Sequence, residues 1–153
     1  MILEGLTDYW YLDACSGLMK AAGNGGLNDK IALVPANSAS KIIYFATILS
    51  AHNLKVAALL DSDNAGDQAA NQEVLIHKLG AKNIIRTGDC IKPSLMKAEI
   101  EDMVRNTLVI IAKENLGWDI TAESAKSTDK SIIEIFKSKI GKEFLNTSLL
   151  KLF

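Results

Sequence analysis

The amino-acid sequence predicts an α/β fold: a four-stranded parallel, Rossmann-like sheet flanked by helices, with extra helices at the C-terminal end. Short apolar runs at residues 1–4, 31–34, 56–60 and 83–86 alternate with longer stretches of helical period. The run at 56–60 is apolar at every position, which favours a strand buried on both faces, as in parallel sheets. Strands that alternate with helices indicate βαβ units with right-handed crossovers.

Capping and helix-breaking residues place the predicted helices between these strands. Thr7 or Asp8 can cap the first helix, Pro35 closes the second strand, and Gly80 ends the helix after the third. The first strand is short for a strand, which favours a natural protein that extends upstream of Met1. We expect helices over residues 8–22, 40–51, 65–79, 97–116, 129–140 and 142–152, with an irregular stretch over 115–127.

Length, charge and cysteine content exclude several classes of protein. A chain of 153 residues fits one domain. A net charge of −1 with only two arginines, Arg86 and Arg105, excludes a general basic surface, so we expect weak intrinsic binding of DNA. Cys15 and Cys90 are too few for a disulfide framework. We see neither a signal peptide nor an apolar run of the roughly 20 residues that span a bilayer, so we expect a cytoplasmic protein without a membrane partner.

Carboxylates follow two of the predicted strands at the point where each strand ends. Glu4 comes directly after the first strand, and Asp61 and Asp63 follow the third. Because parallel strands place their carboxyl ends on one edge of the sheet, these side chains can converge although they are far apart in sequence. Acids crowded together repel one another unless a cation lies between them, and hard oxygen ligands suit Mg²⁺.

The flanking residues resemble a known family. Residues 4–12 read E-G-L-T-D-Y-W-Y-L and are similar to the E-G-x-T-D-Y-W-Y-L stretch of OLD-type (overcoming-lysogenization-defect) nucleases. Asp61 and Asp63 match the Asp-x-Asp motif of the Toprim domain, and residues 99–103 resemble the acidic I-E-D-L segment of the same nucleases. The match covers about the first two-thirds of the chain, and it departs from the family at residues 37–38, where a glycine is common.

The resemblance implies a Toprim-like catalytic domain over residues 1–115, with a helical extension of it over 116–153. It implies a metal-dependent DNA endonuclease that uses Mg²⁺, or Mn²⁺, in two-metal phosphodiester hydrolysis. A charge-balancing lysine late in the module would be Lys130 or Lys142. The implied catalytic residues are Glu4, Asp61 and Asp63; the implied metal ligands are Glu4, Asp8, Asp61, Asp63 and Glu101, with Asp102 a further candidate.

The resemblance also has implications for partners. OLD-type proteins carry an ATPase domain, and this chain has no G-x-x-x-x-G-K-[S/T] phosphate loop. We therefore expect an ATPase domain or subunit outside this chain, DNA as substrate, and a homodimer as one form of assembly.

Other interpretations of the same residues stay open. Asp8 and Asp63 can act only as helix caps, and Glu101 and Asp102 can form a solvated helix face. A primase- or topoisomerase-like Toprim module shares the Asp-x-Asp motif. A phospho-acceptor domain of the receiver type would use Asp61 at its strand end. A degenerate module that only binds other proteins is a fourth alternative.

Overall fold

The structure, a computed structural model, describes residues 1–92 and 95–140 and confirms the predicted α/β class. Its four strands all run parallel, in the order β2-β1-β3-β4, and helices flank the sheet in a Rossmann-like arrangement. The central strand β1 pairs Leu3 with Pro35 on one side and with Leu59 on the other. The strands are β1 (Ile2–Leu3), β2 (Val34–Pro35), β3 (Ala58–Leu60) and β4 (Ile84–Arg86).

The helices of the described residues are short apart from the first. Three single turns of 3₁₀ helix join them, at Ala39–Lys41, Ala81–Asn83 and Ile100–Val104. The α-helices are α1 (Leu6–Ala21), α2 (Ile42–Ala51), α3 (Asn64–Ala70), α4 (Glu73–Leu79), α5 (Thr87–Cys90), α6 (Arg105–Leu116), α7 (Thr121–Lys126) and α8 (Ile132–Ile140). None of them combines the length and the apolar composition that a membrane crossing requires.

The sheet is buried on both faces because successive side chains of a strand point to opposite sides. Ile2, Ala58 and Leu60 pack with apolar residues of α2, α3 and α4 on one face. Leu3 and Leu59 pack on the other face, against α1 and the turn that contains Ile100. Helices cover both faces of the sheet. The edge at the carboxyl ends of the strands stays open, near α1 and residues 97–104.

The second strand is shorter than predicted and lies further along the chain. Ile31, predicted inside it, is 44% exposed, and its N–H donates to Asn28 O in a turn. Registered pairing with β1 begins at Val34, whose N–H donates to Met1 O, and the Met1 ammonium donates to Ala32 O just before it. β2 is an edge strand with one neighbour in the sheet, and its apolar run did not reveal where the pairing starts.

The predicted helix over 65–79 is two helices. The Asn71 side-chain amide donates to Asp67 O at 2.9 Å, within the last turn of α3. Asparagine competes in this way with the helical backbone, and it favours a break. The chain restarts at Gln72, the N-cap of α4.

The stretch predicted to be irregular, 115–127, contains α7. Gly117 ends α6 in the left-handed conformation at φ +70°. Ile120 then packs at 1% exposure in a C-terminal apolar cluster with Leu108, Ile132 and Phe136. Because this burial fixes the chain just before α7, tertiary packing rather than local pattern supports the helix.

This C-terminal cluster joins residues on both sides of position 115. That is compatible with residues 116 onward being an extension of one domain, and the division at 115 stays a prediction. The predicted helix over 142–152 and the candidate Lys142 lie outside the described residues.

Candidate active site

A cavity of about 280 Å³ opens at the carboxyl edge of the sheet. Its walls come from the ends of β1 and β3, the start of α1, the loop after β2 and the turn at residues 99–101. None of the described residues that line it carries a positive charge. We call it the carboxylate cavity because five carboxylates line it: Glu4, Asp8, Asp61, Glu99 and Glu101.

Glu4 and Asp61 meet directly across the sheet. Asp61 N–H donates to Glu4 Oε2 at 3.1 Å, a contact between residues 57 positions apart. The neighbouring strands β1 and β3 are in register, so the residues that follow them come together at one edge. Burial, followed by the negative charges of Asp63 and Asp8, raises the pKa of Glu4 against the lowering effect of this hydrogen bond.

Asp61 carries the most unusual carboxylate of the cavity. Its Oδ1 is buried and has no hydrogen-bond partner among the described residues. Burial, reinforced by the charges of Asp8 and Glu4, raises its pKa to about 8. A buried, unpaired acceptor is costly, and when it is charged the cost is larger. Without a cation beside it, Asp61 therefore keeps its proton at neutral pH.

Asp8 lies in the first turn of α1 and also lines the cavity. The N-cap of this helix is Gly5, so the prediction of Thr7 or Asp8 as the N-cap is wrong. Its Oδ2 accepts the Gly5 N–H at 2.8 Å, and the residue is 5% exposed. Burial raises the pKa of this carboxyl. The capping role and a metal-binding role, which the sequence left as alternatives, are both open to the same side chain.

Glu99 and Glu101 reach the cavity because a short antiparallel bridge ties their segment to the end of β3. Ser62 N–H donates to Ala98 O at 2.8 Å, and Ala98 N–H donates to Ser62 O at 3.2 Å. Thr87, 1% exposed, reinforces the bridge: its hydroxyl donates to Ala98 O at 2.5 Å and accepts from Ser62 N–H at 3.0 Å. The bridge thus brings residues 99–101 beside Asp61.

Glu101 was predicted as a ligand and Glu99 was not. Burial raises the pKa of Glu101 to about 7 and also raises that of Glu99. The available signal was the spacing: Glu99 and Glu101 flank Ile100, which is buried at 2% exposure in the core. Because Ile100 is anchored in the core, the acids on either side of it are held at the edge of the core.

Asp63 lies beside the carboxylate cavity rather than in its wall. Its Oδ1 accepts the Gly66 N–H at 2.7 Å and caps α3, as the capping alternative predicted. It lines a second cavity of about 210 Å³, whose wall also includes Lys97, Glu99 and Glu134. Its charge nevertheless reaches Glu4, whose pKa it raises.

Asp102 has a structural role and lines neither cavity, and its interpretation as a metal ligand stays a prediction. Its Oδ1 accepts from Arg105 Nη1 and from Ile132 N, each at 2.8 Å. Its Oδ2 accepts from Glu99 N at 3.0 Å. The candidate Lys130 is exposed and lines neither cavity, while its carbonyl oxygen accepts from Arg105.

Two backbone features shape the cavity. Asn37, where the nuclease family commonly has glycine nearby, has φ +63°, a left-handed conformation that asparagine tolerates better than most residues. A Cβ on Gly66 would lie 2.0 Å from Asp61 O, so glycine is needed there. A Cβ on Gly5 would meet no atom closer than 3.9 Å, so Gly5 is not needed for space within the protein.

No protein-family model, curated protein or solved structure matches this chain. The likeness to Toprim nucleases therefore stays a prediction from the motifs around Glu4, Asp61 and Glu101.

The chemistry of the donors fits a hard divalent cation. Carboxylate oxygens are the ligands that Mg²⁺ and Mn²⁺ prefer, and the unpartnered Asp61 Oδ1 supplies a free acceptor. Among the described residues, no group of three or more His, Cys, Asp or Glu side chains could hold a metal ion as they are placed. Binding an ion therefore requires carboxylates of the cavity to turn toward it.

Proposed function

We propose that this chain is a Mg²⁺- or Mn²⁺-dependent endonuclease that hydrolyses DNA phosphodiester bonds. In this proposal it is the Toprim catalytic part of an OLD-type nuclease and acts with an ATPase domain or subunit. One observation carries the proposal: Asp61, whose Oδ1 is buried without a partner among the described residues, lines a cavity together with four other carboxylates and, among the described residues, no cationic group.

Such a cavity repels a polyanion unless a cation occupies it. Arg86, the basic residue next to Asp61, directs its guanidinium to the Asp61 carbonyl oxygen and to Asp67 rather than into the cavity. DNA would therefore bind at the cavity only after a metal ion has bound there. This expectation agrees with a net charge of −1, which offers no general attraction for phosphates.

The roles of the residues follow from their positions. Glu4, Asp8 and Asp61 would hold the ion, which when bound polarises a phosphate oxygen and lowers the pKa of a coordinated water. Glu101, whose pKa burial raises to about 7 while no cation is bound, would contribute to a second ion's site. Asp63, from the neighbouring cavity, would approach a second ion or the substrate.

The test is a nicking assay on supercoiled DNA with Mg²⁺ or Mn²⁺. We expect the wild-type protein to convert supercoiled to open-circular DNA with metal and not with EDTA, and Asp61→Asn to lower the rate at least about 100-fold. Asp13→Asn is the matched control, because Asp13 is an exposed acid of α1 outside the cavity. Metal-dependent nicking that wild type and Asp61→Asn perform at equal rates would refute the proposal.

A receiver-type phospho-acceptor role is a second candidate, since the order β2-β1-β3-β4 places Asp61 at the end of a central strand. If the chain is a receiver, acetyl phosphate would phosphorylate it on Asp61. Labelling that Asp61→Asn abolishes, with no nicking by the wild-type protein, would favour this candidate over the nuclease.

A further inference from the structure

Arg86 lies behind the carboxylate cavity at the end of β4, with a side chain only 14% exposed. Its Nε is 3.1 Å from Asp61 O, and its Nη2 donates to the same oxygen. Its Nη1 forms an ion pair with the exposed carboxylate of Asp67. Two N–H groups of the planar guanidinium thus donate to one carbonyl oxygen.

The Asp61 backbone is fixed from three directions. Arg86 holds its carbonyl oxygen, and α3 approaches that oxygen so closely at Gly66 that a Cβ would lie 2.0 Å away. The Asp61 N–H donates to Glu4 Oε2. Both backbone groups are engaged, and the side-chain Oδ1 is the atom left without a partner among the described residues.

We propose that Arg86 is a positioning residue for the divalent-cation site: by holding the Asp61 carbonyl it aims the Asp61 carboxylate into the cavity without touching the ion. This inference rests on the proposed function. Arginine suits the role because its fork presents two N–H groups in one plane, whereas lysine offers a single flexible ammonium. Removing a partner that orients a metal ligand typically changes metal affinity about 10–100-fold.

The test compares Mn²⁺ binding by electron paramagnetic resonance in the wild type, Arg86→Lys and Asp67→Asn. Arg86→Lys keeps the positive charge and loses the paired donation to Asp61 O. Asp67→Asn removes the ion pair and leaves that donation intact. We expect Arg86→Lys to weaken Mn²⁺ binding about tenfold or more and to alter the spectrum of the bound ion, and Asp67→Asn to change affinity less than about twofold.

Two results would overturn the inference: Arg86→Lys that binds Mn²⁺ like the wild type, or Asp67→Asn that weakens binding as much as Arg86→Lys. A wild-type protein that binds no Mn²⁺ would instead overturn the proposed function. The two failures are therefore distinguishable.

A second measurement uses only the wild-type protein, in case the lysine variant does not fold. The chain has two arginines, so a ¹⁵N spectrum of arginine Nε–H groups contains two signals, and Arg105 is an internal reference. We expect Mg²⁺ to shift the Arg86 signal more than the Arg105 signal, because Arg105 is linked to the cavity only through Asp102 and the Glu99 backbone. If Mg²⁺ raises the melting temperature without moving the Arg86 signal, Arg86 does not position the metal ligand.

Discussion

Asp61 stands at the end of a buried strand with an acceptor that the described protein does not satisfy, and this makes its protonation part of the folding equilibrium. In the unfolded chain the group releases its proton near its ordinary pKa of 3.8, and in the fold it keeps the proton up to a pKa of about 8. Between these values the folded state binds more protons than the unfolded state. The free energy of unfolding therefore falls as the pH rises from about 4 to about 8.

Replacing Asp61 by Asn should remove this loss of stability in metal-free protein. At pH 8.5 with EDTA we expect Asp61→Asn to melt at least about 3 °C above the wild type, with the difference closing toward pH 4. Thermal unfolding followed by circular dichroism across this pH range measures it. Asp13→Asn should follow the wild-type curve at every pH. An Asp61→Asn curve that does the same would show that the pKa of Asp61 is not raised in the fold.

The residues that could be predicted at this scale follow directly from strand ends. Glu4 and Asp61 come immediately after β1 and β3, so the parallel order alone brings them together. Glu99 could not be found in that way, because its position depends on the bridge between Ser62 and Ala98 and on the Thr87 hydroxyl. Those contacts are between segments far apart in sequence and leave no local periodicity.

At the scale of elements, the start of α3 sets how closely a helix can approach the site. The N-cap Asp63 holds Gly66 N–H, and Gly66 then lies against the Asp61 carbonyl oxygen. This close approach ties the helix to the same peptide that Arg86 holds from β4. Asp63 was predicted both as a ligand and as a cap; the cap is what the structure describes, and its metal-binding role stays a prediction.

Gly66→Ala should therefore disturb the site while another glycine-to-alanine change does not. We expect Gly66→Ala to lower the free energy of unfolding by about 1–3 kcal/mol, because the added Cβ would lie 2.0 Å from Asp61 O. Gly17→Ala is the matched control: Gly17 lies inside α1 with no atom within 4 Å of an added Cβ, so we expect a gain of about 0.5–1 kcal/mol. Urea unfolding of both variants measures these changes, and a stabilising Gly66→Ala would contradict the described packing.

Other elements show why boundaries were predicted less well than the order of strands. The apolar run of β3 was sufficient to predict its position, because burial on both faces leaves a pattern that does not depend on partners. α7 depends instead on the burial of Ile120 and on hydrogen bonds from Arg105 to Ser124, and a side-chain hydrogen bond from Asn71 lies at the break between α3 and α4. Propensity averaged over a window does not register such contacts.

Across the whole molecule, one buried ion pair joins the C-terminal helices to the segment that carries the site. Arg105 donates to the Asp102 carboxylate and to the carbonyl oxygens of Ser124, Ser127 and Lys130. Asp102 in turn accepts the backbone N–H of Glu99, a residue of the carboxylate cavity. Residues 124–130 therefore contribute to the shape of the site, although no described residue beyond 101 lines the carboxylate cavity.

Arg105→Ala should be strongly destabilising because it leaves the buried Asp102 carboxylate with backbone N–H partners but without a cationic one. We expect a loss of about 3–5 kcal/mol in the free energy of unfolding, with part of it recovered in the double variant Arg105→Ala/Asp102→Asn. Lys113→Ala breaks an exposed ion pair with Asp119 and should leave stability nearly unchanged. Denaturant unfolding at one pH compares the three; equal effects of Arg105→Ala and Lys113→Ala would show that the buried pair contributes little.

The proposed function requires that the carboxylate cavity binds a divalent cation through Asp61. Crystals soaked in Mn²⁺, with anomalous diffraction recorded above the manganese absorption edge, test this most directly. We expect an anomalous peak in the cavity within about 2.0–2.3 Å of a carboxylate oxygen of Asp61, and no such peak in crystals of Asp61→Asn. A cavity without a peak in fully soaked wild-type crystals, or a peak that persists in Asp61→Asn, would contradict it.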